Sequence, residues 1–275
     1  MRNPGFLARW SIITLAILYF VMPLAMTLMF SLWEGNNVYG VSAYVNLFSR
    51  ADLLNPFVLS LELSLLTIAA IYLLLTPALI AVHLYAPRMR KFIEFISVLP
   101  FVVPTIAFVG GLSTLVTGPT WLISSPLYLI IPYFFLALPF SFRAIDVGLS
   151  ALDLKTLKEA AESLGAGAWP TIRLIVLPNL RAALINATLL TFTVVMGEFT
   201  VSNILLFRTF PVAIYEVGKS SPTQAAALSM LSFVLTWLTM LGVMFLARQR
   251  NPAAGVHSIK EPARRQSPTT QGPRG

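Results

Sequence analysis

The sequence predicts an all-α membrane protein with six transmembrane helices and both termini on the cytoplasmic side. Three observations carry this expectation. Of 275 residues, 57% are hydrophobic and only 11% charged, where a soluble domain carries about 25% charged residues. The apolar residues fall into six runs, each long enough for the roughly 20 helical residues that cross a bilayer core. The basic residues, with Arg143 near the inner end of the fourth run as the exception, sit in short clusters between those runs.

The first span is placed at 11–33, with Trp10 and Trp33 as interfacial anchors. It is too long for the apolar region of a cleavable signal and lacks a small-residue cleavage site, so a retained helix is expected. The remaining spans are placed at 56–85, 92–116, 126–149, 182–207 and 225–247. Pro77, Pro100, Pro104, Pro132, Pro139, Gly110, Gly111 and Gly197 lie inside them. Neighbouring helices can satisfy the backbone groups such residues free, so they mark kinks for packing or hinges.

An inside N-terminus leaves only Arg50, Arg208 and Lys219 outside, and puts the other 16 of 19 Lys and Arg in the cytoplasm. That asymmetry orients the chain. It also accounts for the net charge of +8 without nucleic acid, whose binding would need one basic stripe interleaved with aromatics. Residues 1–10 then form a cytoplasmic N-terminus, 11–247 the six-helix transmembrane domain, and the polar, Pro-rich residues 248–275 a disordered cytoplasmic tail. With no cysteine and only His83 and His257, no metal site is expected. No G-x-x-x-x-G-K-[ST] motif occurs, so the chain holds no ATP-hydrolysing site and no catalytic residue or cofactor is assigned.

The longest cytoplasmic loop, 150–181, has a helical pattern of its own. Ser150 to Asp153 has the spacing of a capping box. Leu154, Leu157, Ala161 and Leu164 then recur at three- and four-residue steps as one apolar stripe, with Lys155, Lys158, Glu159 and Glu162 on the other faces. Gly165 stands where a left-handed residue would end the helix. Mixed charge speaks against lying on lipid. Packing under the bundle and docking on a partner both remain open from the pattern.

Glu159-Ala160-Ala161, three residues, Gly165, nine residues, then Ile175-Val176-Leu177-Pro178 resembles the EAA motif of ABC-importer permeases in every specified position, in the loop before the penultimate span as in that family. The resemblance implies a MetI-like permease fold in a bacterial cytoplasmic membrane. It implies a coupling helix that docks on an ATPase subunit through Leu157, Glu159, Ala160, Ala161, Leu164, Gly165, Ile175, Leu177 and Pro178. The implied partners are two ATP-binding cassette subunits, which use the ATP, a second permease of the same or another chain, and a substrate-binding protein. Relatives often carry a further proline where this chain has Arg181-Ala182-Ala183. The overall wording resembles the group serving polyamines, phosphonates, thiamine, iron and oxyanions, leaning to polyamine or 2-aminoethylphosphonate.

An ionisable group within a span is a functional candidate by default. Glu198 after Gly197 lies about 24 Å into span five at 1.5 Å per residue. The pair either lines the translocation path or forms a carboxylate tied to neighbours such as Thr200 or Ser202, with the glycine admitting another backbone. Glu62 and Glu216 are expected at the outer interface and His83 packed or interfacial at the inner end of span two. The stretch 209–215 is read as a binding-protein contact or a re-entrant loop. An ion-gradient transporter would call for paired intramembrane charges or inverted repeats, and an intramembrane enzyme for a nucleophile–base pair or H-E-x-x-H. The sequence supplies neither set clearly.

Overall fold

The computed structural model describes residues 4–36, 38–48, 51–115 and 118–249. The expected tail beyond 249 lies outside the described residues, as does Arg50. Helix α1 (Pro4–Ser31) leads into a two-stranded ribbon, β1 (Trp33–Gly35) and β2 (Val38–Tyr39), which a helical reading of the sequence misses. Gly35 and Asn36 turn it with φ of +94° and +49°, conformations that glycine and asparagine tolerate. α2 (Ser42–Phe48) follows. Then α3 (Leu54–Ala70), a π-helical turn (Ile71–Leu75) and α4 (Thr76–Tyr85) form one long rod. α5 (Arg90–Val102), α6 (Thr105–Leu115), α7 (Thr120–Ile123) and α8 (Ile130–Ser150) come next. The chain continues through α9 (Leu154–Ser163), α10 (Ala168–Thr171), a second π turn (Ile172–Val176) and α11 (Leu177–Asn179). It ends with α12 (Arg181–Met196), α13 (Thr200–Ile204), α14 (Phe210–Ser220) and α15 (Pro222–Gln249).

Among the described residues, five helices are long and apolar enough to cross a membrane, and the pair α5–α6 makes a sixth candidate bent by 108°. Span three, placed at 92–116 with kinks or hinges expected at its prolines, is thus sharply bent between α5 and α6. Pro104 disfavours helical geometry in the residue before it, and Val103 is extended at φ −84°, ψ 123°. Span five, a single crossing segment over Arg181–Ile204, is interrupted at 197–199, where α12 ends at Met196 and α13 begins at Thr200.

Both π turns end shortly before a proline, Pro77 and Pro178. A proline ring clashes with the carbonyl four residues back and offers no N–H to it, and one widened turn relieves that clash. In the second case Asn179 donates from Nδ2 to the Ile175 carbonyl at 2.8 Å.

The core lies between α3–α4, α8 and α12, where Leu79, Phe142, Ile145, Leu149, Val176, Leu180 and Ala187 are buried. α1 and α15 flank it with large apolar side chains turned outward, including Ile12, Leu15, Leu18, Phe233, Trp237 and Phe245. No soluble monomer leaves an apolar surface of that extent bare; here it suits lipid. α8 and α12 meet at Gly148, where an added Cβ would lie 2.3 Å from the Ala183 Cβ and 3.0 Å from Leu180 Cδ1. Neither backbone can yield cheaply. Gly148→Ala is expected to lower the melting temperature of the detergent-solubilised protein by several degrees, in keeping with roughly 1–3 kcal/mol for overpacking. Adding Ala183→Gly should recover most of the loss. A G148A protein that melts like the parent would refute the close crossing.

Candidate functional site

α9 lies at the end of the bundle that carries Tyr85, Arg90 and Asp146. Its cap is one turn later than the sequence pattern suggests. Ser150 closes α8, and Asp153 caps α9: Oδ1 accepts from the Thr156 N–H at 3.2 Å and Oδ2 from the Thr156 hydroxyl at 2.7 Å. Those two donors, the hydroxyl first, hold the Asp153 carboxyl below the usual carboxylate range. At the other end Gly165 has φ +77°. Its N–H bonds the Glu162 carbonyl at 2.9 Å, and the Ala166 N–H reaches the Ala161 carbonyl at 2.9 Å. This pairing is the Schellman closure that favours glycine, as the sequence spacing anticipates.

The expected apolar stripe divides. Leu154 and Ala161 are buried against the bundle and Leu157 is half-buried, but Leu164 is 88% exposed. Lys158 sits 4.8 Å above the Tyr85 ring, anchoring the helix to α4. Glu159 and Ala160 face outward, and Glu159 is only loosely paired with Lys155 at 3.9 Å. Beyond Gly165, Trp169 and Leu174 are exposed as well. Ile175 and Leu177 are half-buried, Val176 is buried beneath them, and Pro178 is exposed. Part of the helix thus packs under its own bundle while another part offers apolar surface outward; the two sequence readings are not exclusive. After Pro178 the chain passes through Leu180 (φ −84°, ψ −2°) directly into α12, so the helix begins at Arg181 without a further proline.

One charged cluster escapes the sequence reading. Asp146 is 1% exposed and takes two bonds from Arg90, Nε to Oδ1 and Nη2 to Oδ2, each 2.7 Å. His83, packed as expected, holds Nδ1 2.9 Å from the Leu79 carbonyl and Nε2 3.3 Å from Asp146 Oδ1. The cluster clamps α4, α5 and α8 just behind α9. A cleft of about 290 Å³ separates His83 and Leu84 from Lys155, Lys158, Glu159 and Glu162. The signal was available: an aspartate within an apolar run needs a partner, and the cluster Arg88–Lys91 supplies one across the bundle.

Glu198 turns back on its own chain. Its Oε1 accepts from the Val201 N–H at 2.9 Å, and Oε2 accepts from Val201 at 3.1 Å and Ser202 at 3.4 Å. It satisfies free N–H groups at the start of α13, the use expected of a carboxylate there. Within this chain no second backbone comes close to Gly197, which is exposed. An added Cβ would meet only the Thr193 carbonyl of its own helix, at 3.3 Å, because Gly197 is where that helix stops.

At the opposite end Arg208 joins Glu216 (2.7 Å) and Asp52 (3.3 Å). Glu216 is thus ion-paired, whereas Glu62 is exposed on α3. The stretch 209–215 opens α14, burying Phe210, Val212 and Ala213 and leaving Tyr215 exposed.

A broken-span helical bundle with a capped, outward-facing helix at its basic end defines a multi-span membrane permease. Residues 84–250 match the model of the family described as the binding-protein-dependent transport system inner membrane component, and the chain belongs to that family. It is 36% identical over 107 residues to the molybdenum transport system permease protein ModB of Escherichia coli (strain K12), covering 36% of this chain and 47% of that one. A probable sulfate transport system permease protein, cysT, of Chlorella vulgaris is 49% identical over 45 residues, 16% of this chain and 17% of that one. The matches thus span half or less of the length of these curated relatives. The fold resembles a chain in the crystal structure of a bacterial ABC transporter involved in the import of the acidic polysaccharide alginate. There the TM-score is 0.65 and the identity 17%, over 90% of this chain and 96% of that one.

Proposed function

We propose that the chain is the permease subunit of an ATP-driven importer of a small oxyanion. It works in a bacterial cytoplasmic membrane with its basic end inward, paired with a second permease, two ATPase subunits and a substrate-binding protein. The observation that carries this reading is α9 with its glycine closure. A short helix rooted in the bundle by Leu154 and Ala161 and presenting Glu159, Ala160 and Leu164 outward can transmit a push from a docked partner into α4, α8 and α12. The EAA pattern falls on this helix and the segment that follows.

The oxyanion is favoured by the molybdenum and sulfate named for the two relatives. Of the two substrates the sequence leans to, the phosphonate keeps to the anionic class.

The test is reconstitution in proteoliposomes with the cognate ATPase and binding protein. Uptake of labelled molybdate or sulfate should require ATP inside and stop when the ATPase is omitted. Uptake that persists without an ATPase and follows an imposed ion gradient would establish the secondary-transporter alternative instead.

A further inference from the structure

Span four carries a second charge, Arg143, about 10 Å before its end at Ser150 by helical rise. Its side chain is 69% exposed, and Glu94 stands 3.8 Å away, beyond hydrogen-bond reach. It borders a groove of about 580 Å³ whose floor is α8 and α12 and whose walls are Phe101 of α5 and Met240 of α15. Asn186, on the floor opposite, is the other hydrogen-bonding side chain in an otherwise apolar lining. An ionised side chain within a span is costly unless it faces a water-filled cavity or a counter-charge.

The flanks of the bundle show what lipid contact looks like here, since α15 turns Phe233, Trp237 and Phe245 outward. On α12 the exposed positions are Arg181, Ala182, Asn186, Leu190 and Thr193, with Gly197 exposed at its C-cap. A guanidinium without a hydrogen-bonded anion, facing an amide across an apolar groove, suits a ligand that is small, anionic and rich in acceptor oxygens.

We propose that this groove is a transit site for a small oxyanion at the inner mouth of the path, with Arg143 as its charge-selective group and Asn186 as a hydrogen-bond donor. The proposal rests on the oxyanion-importer reading and extends it to named residues.

The sequence contains no cysteine, so a single introduced thiol reports without background. Asn186→Cys, and separately Leu190→Cys one turn on, would be labelled in inside-out vesicles holding the complete transporter without nucleotide. Anionic and cationic methanethiosulfonates of similar size serve as probes. The anionic reagent should react at least about fivefold faster than the cationic one, as a local positive potential would dictate. Millimolar sulfate or molybdate should slow it, and Arg143→Gln should remove the preference. Glu94→Gln, which leaves the guanidinium in place, should keep or raise it.

Equal rates for the two reagents, no labelling at either position, or a preference that survives R143Q would each overturn the proposal. In the reconstituted system R143Q should lower uptake about tenfold while binding-protein-stimulated ATP hydrolysis persists, which a merely misfolded variant would not show. Failure of the parent protein to transport either anion would count against the importer reading alone, because labelling does not depend on turnover.

Discussion

Gly165→Val is expected to abolish ATP-coupled uptake while the chain still inserts and its spans stay packed. At φ +77° an L-residue with a Cβ pays roughly 1–2 kcal/mol, and a β-branched one more. Space is not the issue, for a Cβ at Gly165 would meet nothing within 4 Å. The penalty is purely one of backbone conformation. It is relieved by unwinding the closure in which Gly165 and Ala166 bond back to Glu162 and Ala161. Unwinding would re-aim the chain toward Trp169 and displace Leu164 from its exposed position at the end of α9.

A graded series follows from that cause. Gly165→Asn should retain most uptake, because asparagine enters the left-handed region readily; Gly165→Ala should fall between. Uptake, ATPase co-purification and protease resistance of the bundle would be read together. If G165N is as inactive as G165V, the glycine is needed for close approach of a partner and not for its backbone freedom. Glu159→Lys offers a second route to the same loss, replacing an exposed carboxylate by a cation beside Lys155 without touching the fold.

What could be read from the sequence divides along physical lines. Spans one, two, four and six are legible because burial in lipid demands long apolar runs and nothing more subtle. The closure of α9 is legible because a left-handed residue after an amphipathic turn has few chemical solutions. The breaks in spans three and five are harder. Pro104 and Pro100 look alike in sequence, yet Pro100 sits inside α5 while Pro104 follows a 108° bend. Which of two prolines bends a helix depends on whether neighbours can accommodate the freed carbonyl, and that is tertiary information. The same holds for Glu198, since a carboxylate one residue after a glycine fits a path-lining group as well as one that satisfies the next short helix. Asp146 itself signals a need for a partner, but which residue supplies it is tertiary information: Arg90 is 56 residues away and alone reads as an ordinary orienting charge.

That buried pair gives the largest stability effect expected in the chain, and an asymmetric one. Arg90→Leu should destabilise the protein by roughly 3–5 kcal/mol, the range for stranding one partner of a buried ion pair. It leaves the Asp146 carboxylate, 1% exposed, facing only His83 at 3.3 Å. Asp146→Leu should cost far less, on the order of 1 kcal/mol once solvent screening is allowed for. Arg90 is 40% exposed, and its long stem can swing the guanidinium out to water. The double variant R90L/D146L should then be closer to the parent than R90L is, because removing both charges leaves neither stranded. Thermal unfolding of the detergent-solubilised protein measures all three, and the non-additivity is the diagnostic quantity. Equal losses for the two single variants, or a double variant whose loss is their sum, would mean that Asp146 is wetter than its burial indicates. In that event α4, α5 and α8 would be held together by the apolar core around Leu79, Phe142 and Ile145 and not by the charge cluster behind α9.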